Sequence, residues 1–210
     1  NHDIYLLIAS VYEDMEDFSA AIESYDTALN LQSGNTDEIY LLKAFTYEGW
    51  DRFDDAIDCL KLALQNNPNN KQALYELAYC YDQQNEPEKS IEFYQQFIDE
   101  DPFAYQAWYN LGLLYTKINM LEKATEAFDY AIVIKEDYAP GHQQLGKTYL
   151  VLGNYEKAIE HLTFYIQHTR PNVATYCQIA DCYQNLEKQE LARDYYRKAL
   201  DVNNDYAEAW

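Results

Sequence analysis

AWYNLGLLYTKINMLEKATEAF, residues 107–128, holds one glycine and no proline, and its apolar residues fall into two groups. Trp108, Leu111, Gly112 and Tyr115 are spaced by three and four, which places them on one face of a helix. Ala124 and Phe128 repeat that spacing beyond Asn119. A single helix cannot carry both groups on one stripe, so the stretch predicts two helices with a turn between them.

The same arrangement recurs along the chain. Tyr12, Tyr47, Tyr81, Tyr115, Tyr149 and Tyr183 follow one another at intervals of 34 or 35 residues. Three positions before each stands a small residue: Ala9, Ala44, Ala78, Gly112, Gly146 and Ala180. Nine positions after each stands Ala21, Ala56, Ser90, Ala124, Ala158 or Ala192, and four further on a large side chain, Tyr25, Leu60, Tyr94, Phe128, Leu162 or Tyr196. Small residues let two helices approach closely, and large ones fill the space beside them. Each unit therefore reads as an antiparallel helical hairpin, broken at Glu16-Asp17, Asp51-Arg52, Asn85-Glu86-Pro87, Asn119, Gly153-Asn154 and Lys188. Pro87 suits the first turn of a helix, where its missing N–H is no loss, and Pro68 and Pro102 close the second and third units.

The complete pattern W-x2-L-G-x2-Y followed by A-x3-F, at Trp108, Leu111, Gly112, Tyr115, Ala124 and Phe128, resembles the tetratricopeptide repeat. On that frame the repeats run 2–35, 37–70, 71–104, 105–138, 139–172 and 173–206 within a single array over 1–210. Thr36 is an insertion, and a seventh repeat begins at 207–210 with Trp210 in the slot of Trp108. The resemblance implies an all-α, right-handed superhelical solenoid of tandem antiparallel helix pairs. Two departures bear on packing. Phe97 and Tyr165 stand where other repeats have Ala28, Ala63, Ala131 and Ala199, which is expected to change the local angle between repeats. Lys43 stands where others have an aliphatic residue, and its stem is expected to lie along the core with the amine in solvent.

The chain has 36 acidic and 15 basic residues, a net charge of −21. A field of that sign repels phosphate backbones and anionic membranes, so nucleic acid is not an expected partner and a basic protein or peptide is. No apolar run is long enough to cross a bilayer, which excludes membrane insertion through a helix. Cys59, Cys80, Cys177 and Cys182 form no metal-binding or disulfide pattern and read as small buried hydrophobes in a reducing, cytoplasmic compartment. The chain begins at Asn1 without Met, which leaves a removed leader or a longer parent protein open. No phosphate-binding loop, zinc-protease motif or nucleophile elbow occurs, and His161 and His168 lie two helical turns apart, too far to hold a metal without a third ligand. No catalytic residue, metal or cofactor is assigned.

The resemblance places recognition on the first helix of each pair, which lines a concave groove. In the N-terminal half the groove positions include Leu6, Glu13, Leu41, Phe45, Glu48, Tyr75, Glu76, Tyr79 and Asp82, where apolar and aromatic side chains alternate with carboxylates. In the C-terminal half they include Tyr109, Asn110, Leu113, Gln144, Lys147 and Gln178, and amides replace the acids. The expected function is a protein-interaction scaffold that binds a basic and apolar partner segment, its rings giving rigid contact area and its carboxylates pairing with Lys or Arg. The basic residues with which co-chaperone members of the family grip a terminal carboxylate are absent. The alternative is a structural spacer, or self-association through the apolar face expected after Glu190, where no complete further repeat covers the array.

Overall fold

A computed structural model describes residues 2–31, 36–170 and 172–202. Among these residues the chain forms twelve α-helices and no strand. They are α1 (His2–Asp14), α2 (Phe18–Leu31), α3 (Asp37–Gly49), α4 (Phe53–Asn66), α5 (Lys71–Gln83), α6 (Pro87–Glu100), α7 (Tyr105–Lys117), α8 (Leu121–Ile134), α9 (Ala139–Val151), α10 (Tyr155–His168), α11 (Val173–Asn185) and α12 (Gln189–Val202). Each odd-numbered helix pairs with the next, so the six helical hairpins fall in the expected register. The chain divides into two compact units between Pro102 and Phe103, with three hairpins in each. The start of a seventh repeat at 207–210 lies outside the described residues.

All six hairpins turn in one way. The second residue after the first helix has positive φ: Glu16 (58°), Asp51 (57°), Asn85 (58°), Asn119 (59°), Gly153 (74°) and Glu187 (60°). The next residue donates its N–H back to the ladder tyrosine: Asp17 to Tyr12, Arg52 to Tyr47, Glu86 to Tyr81, Met120 to Tyr115, Asn154 to Tyr149 and Lys188 to Tyr183, all at 2.8–2.9 Å. This is a Schellman closure, which satisfies carbonyls that the helix end would otherwise leave bare. The break expected at Lys188 falls between α11 and α12, with the left-handed conformation on Glu187 just before it. Pro87 opens α6 at its first turn as expected.

Packing between the paired helices follows the small-against-large rule. A Cβ on Gly112 would lie 2.5 Å from the Phe128 ring, and one on Gly146 would lie 2.7 Å from Leu162. Phe128 and Leu162 are fully buried, as are Leu60 and, nearly, Tyr25 and Tyr94 against alanines. Side-chain ties add to this within the N-terminal unit. Buried Asp37 accepts from Asn67 Nδ2 at 2.8 Å and Asn70 Nδ2 at 2.9 Å, joining the start of α3 to the loop before α5. Lys43 departs from expectation: its amine forms an ion pair with Asp26 of α2 instead of standing free in solvent. Burial opposes the charge, but the Asp26 hydrogen bond and charge outweigh it and raise the lysine pKa. Phe97 packs edge-on against Tyr75, with ring centroids 5.3 Å apart.

The first helix differs from its equivalents in what covers it. Ile39, Thr46, Ala73, Leu77, Cys80, Leu145, Thr148, Thr175, Ile179 and Cys182 occupy three positions of the odd-numbered helices and are buried. On α1 the same positions carry Ile4, Ile8 and Val11, which are 55 %, 37 % and 57 % exposed, with Leu7 beside them at 70 %. Among the described residues α1 thus carries an exposed apolar stripe, besides the face expected at α12. The latter exposes Leu191 and Val202 among arginine, lysine and acidic side chains. No helix of the described residues is long and apolar enough to cross a membrane.

Candidate functional site

In the N-terminal unit, α1, α3 and α5 bring several of the expected groove residues together. The unit also carries most of the charge, with 22 Asp and Glu against 5 Lys and Arg over residues 1–102, a net −17. Glu13 on α1 accepts from Tyr25 Oη at 3.1 Å and from Thr46 Oγ1 on α3. Its carboxylate ties two repeats together, and burial together with the Glu13 charge pushes the Tyr25 phenol far above its ordinary pKa. Leu6 and Leu41 are half-buried against the apolar clusters of the first two repeats.

Glu48 on α3 is placed differently. It is half-buried and accepts a 3.4 Å hydrogen bond from the Cys80 thiol on α5, and the carboxylate of Glu76, one turn before Cys80, is close enough to act on it. Burial, then the Glu76 charge, raises its pKa to about 7. Glu76 is raised as well, by burial, although Gln72 donates to it. Neither carboxylate forms an ion pair with a cation of the described chain. Tyr79, 37 % exposed, stands at the same helix face, edge-on to Phe53 at 6.3 Å, and Tyr75 packs between Tyr94 and Phe97. Phe45 and Asp82 are half-buried on α3 and α5. These acids were legible as groove positions; their mutual burial was not, because it depends on the approach of α3 to α5.

In the C-terminal unit, Tyr109 on α7 packs against Phe128 at 5.8 Å and Tyr138 at 5.3 Å and is hydrogen-bonded to Gln144 on α9. The Gln144 amide is therefore already engaged within the chain. Gln178 on α11 keeps its Oε1 buried without a partner. Asn110 and Lys147 are half-buried, and Leu113 is 37 % exposed. Three of the four cysteines are buried and Cys177 is half-buried, all as free thiols. Among the described residues no three His, Cys, Asp or Glu side chains converge to hold a metal.

One cluster escaped the sequence reading. His142 on α9 and His161 on α10 meet at 3.0 Å through their Nδ1 atoms, and His142 Nε2 lies 3.1 Å from the carbonyl of Glu136. His161 pairs with His142 across the hairpin, while His168 stacks on Phe164 at 4.0 Å. No local spacing announces a contact between helices made by residues 19 apart.

Comparison with known families and structures agrees with this geometry. Three family models described as tetratricopeptide repeat match residues 51–104, residues 93–126, and residues 2–35, 139–163 and 173–206. No curated protein matches the chain. Among solved structures, the MamA protein is 28% identical with a TM-score of 0.77, covering 84% of this chain and 96% of its own. A tetratricopeptide repeat protein from Parabacteroides merdae is 20% identical with a TM-score of 0.76, covering 95% and 79%. YrrB, described as a TPR protein with an unusual peptide-binding site, is 16% identical with a TM-score of 0.78, covering 90% and 96%. With six hairpins in one register and family matches distributed from residue 2 to residue 206, this chain belongs to the tetratricopeptide repeat family.

Proposed function

We propose that the chain is a protein-interaction scaffold and that α1, α3 and α5 bind a partner segment carrying basic and apolar residues. The observation that carries this reading is the Glu48–Glu76 pair, two half-buried carboxylates on neighbouring helices, flanked by Tyr75 and Tyr79, with no cation of the described chain to neutralise them. Two acids held together out of bulk water raise each other's energy, and an incoming Lys or Arg relieves both. Tyr79 and Phe45 supply apolar contact beside the charge at small entropic cost. The peptide-binding site of YrrB shows that a relative of this fold binds a peptide. In the C-terminal unit, Tyr109, Asn110, Leu113, Lys147 and Gln178 offer a more polar surface that contributes contact area.

The test is binding of a fluorescent peptide of alternating Lys and Leu, followed by anisotropy. Capture should weaken about tenfold or more in the Glu48→Gln/Glu76→Gln variant, the loss of one or two charge-assisted contacts, and in high salt. Equal affinity for wild type and variant would refute the reading. A second reading, self-association, is favoured by the exposed Ile4, Leu7, Ile8 and Val11 stripe. Light scattering over a concentration series separates the two, since a mass that stays monomeric removes the second.

A further inference from the structure

The tyrosine ladder is accompanied by cations in four of its six steps. Arg52 lies 5.1 Å from the Tyr47 ring centroid, Lys89 5.0 Å from Tyr81, Lys123 5.5 Å from Tyr115 and Lys157 4.9 Å from Tyr149. Lys89, Lys123 and Lys157 occupy one repeat position, in the first turns of α6, α8 and α10. Tyr81 also receives Lys61 from the preceding repeat, at 5.8 Å. Tyr183 receives neither. The position of Lys89, Lys123 and Lys157 is Leu191 in its repeat, and the position of Lys61 is Thr163.

Beside Tyr183 lies a cleft of about 430 Å³, lined by Glu160, His161, Thr163, Phe164 and Tyr195 among others. Thr163, a short side chain at the repeat position of Lys61, is among the residues that line it. Thr163 keeps its hydroxyl buried without a partner, and Glu160 forms no ion pair among the described residues. Tyr195 is already met by Lys198 at 4.1 Å, so the ring that lacks a cation is Tyr183.

The histidine pair determines what the cleft can accept. A backbone carbonyl only accepts, so His142 Nε2 must carry its proton toward Glu136. The Nδ1 of neutral His142 is then bare, and His161 Nδ1–H donates to it. That leaves His161 Nε2 as an acceptor. Burial lowers both pKa values, and the His142 charge adds to it at His161, which falls to about 4, so the pair is neutral at pH 7. The groups around the cleft are thus a carboxylate, an imidazole acceptor and ring faces, the set that attracts a positively charged donor.

We propose that this cleft binds the ammonium group of a small primary amine, in the place that Lys61 takes over Tyr81. The site is separate from the acidic face of the N-terminal unit and does not depend on it. The probe is butylammonium, titrated into the full chain and followed by NMR on the His161 and Tyr183 ring resonances, with butan-1-ol as the uncharged control. Saturable shifts with the amine and none with the alcohol are expected. Thr163→Lys places a lysine in the register of Lys61 and should abolish the shifts, and Glu160→Gln at an exposed position should weaken binding at least threefold. Circular dichroism checks that each variant is folded; if Thr163→Lys is not, Glu160→Gln decides. Identical shifts with the alcohol, no saturation by the amine, or unchanged affinity in the folded variants would overturn the proposal.

Discussion

Glu48 sits in a position where its proton is linked to stability and, in the proposed function, to binding. Its folded pKa is raised from the ordinary 4.5 to about 7, chiefly by burial and next by Glu76. Between those values the folded chain holds a proton that the unfolded chain has lost, so this contribution is full below pH 4.5 and disappears as pH rises through 7. Glu48→Gln should remove that loss and raise stability at pH 8 relative to wild type by about 1 kcal/mol after allowance for partial exposure. Urea melts at pH 5 and pH 8 check it: the gain should be confined to the higher pH. His161 has the opposite sign, because a folded pKa lowered to about 4 gives stability present above pH 6.5 and lost as pH falls through 4. Packing at single positions is as specific. Gly112→Ala brings a Cβ to 2.5 Å from Phe128 and should cost about 1–3 kcal/mol. Phe128→Leu in the same chain should recover part of that cost, since Ala44 with fully buried Leu60 is the native form of the pair in the second repeat. A double-mutant cycle by thermal melts would show coupling, and additive losses would refute the pairing.

Among the elements, the hairpin turn uses one backbone solution with six different sequences, and only Gly153 pays nothing in side-chain sterics for its positive φ. Asn85 and Asn119 tolerate it, whereas Glu16, Asp51 and Glu187 are held there by the Schellman bonds. Glu187→Gly should stabilise by up to about 1 kcal/mol, and Gly153→Ala should destabilise by a similar amount, both read from urea midpoints. The register of these elements was legible because small and large residues recur at fixed intervals. The break at Lys188 was legible, but the positive φ of Glu187 was not, because Glu is a poor marker of left-handed backbone. The Lys43–Asp26 pair and the His142–His161 contact were not legible, since each depends on which faces of separate helices meet. The two ends of the array also differ in covering. Ile8→Ala on α1 should cost less than about 1 kcal/mol, while Ile179→Ala at the equivalent, fully buried position of α11 should cost about 2–5 kcal/mol. Equal costs would mean that α1 is covered in solution.

At the scale of the whole molecule, charge divides unevenly along the chain. Of the net −21, the residues before Phe103 hold −17, and they include the half-buried Glu48 and Glu76, neither of which meets a cation among the described residues. On the odd-numbered helices after α1 one face is buried in repeat packing, and the proposed recognition uses the side chains that this packing leaves exposed or half-buried. The aromatic and acidic composition of α1, α3 and α5 was readable once the repeat frame was known. Which acids stand unpaired was not, because Glu13 and Glu48 occupy the same repeat position and differ only in what faces them: Tyr25 and Thr46 for one, Cys80 and Glu76 for the other. Binding of a cationic segment at Glu48 must lower its pKa and expel the proton that the free protein holds near neutrality. Calorimetric titration of the Lys and Leu peptide at pH 7, in two buffers of different ionisation enthalpy, measures this directly. Net proton release by the wild type, absent in Glu48→Gln, is expected; tight binding with no proton released would contradict the assignment of this carboxylate to the partner.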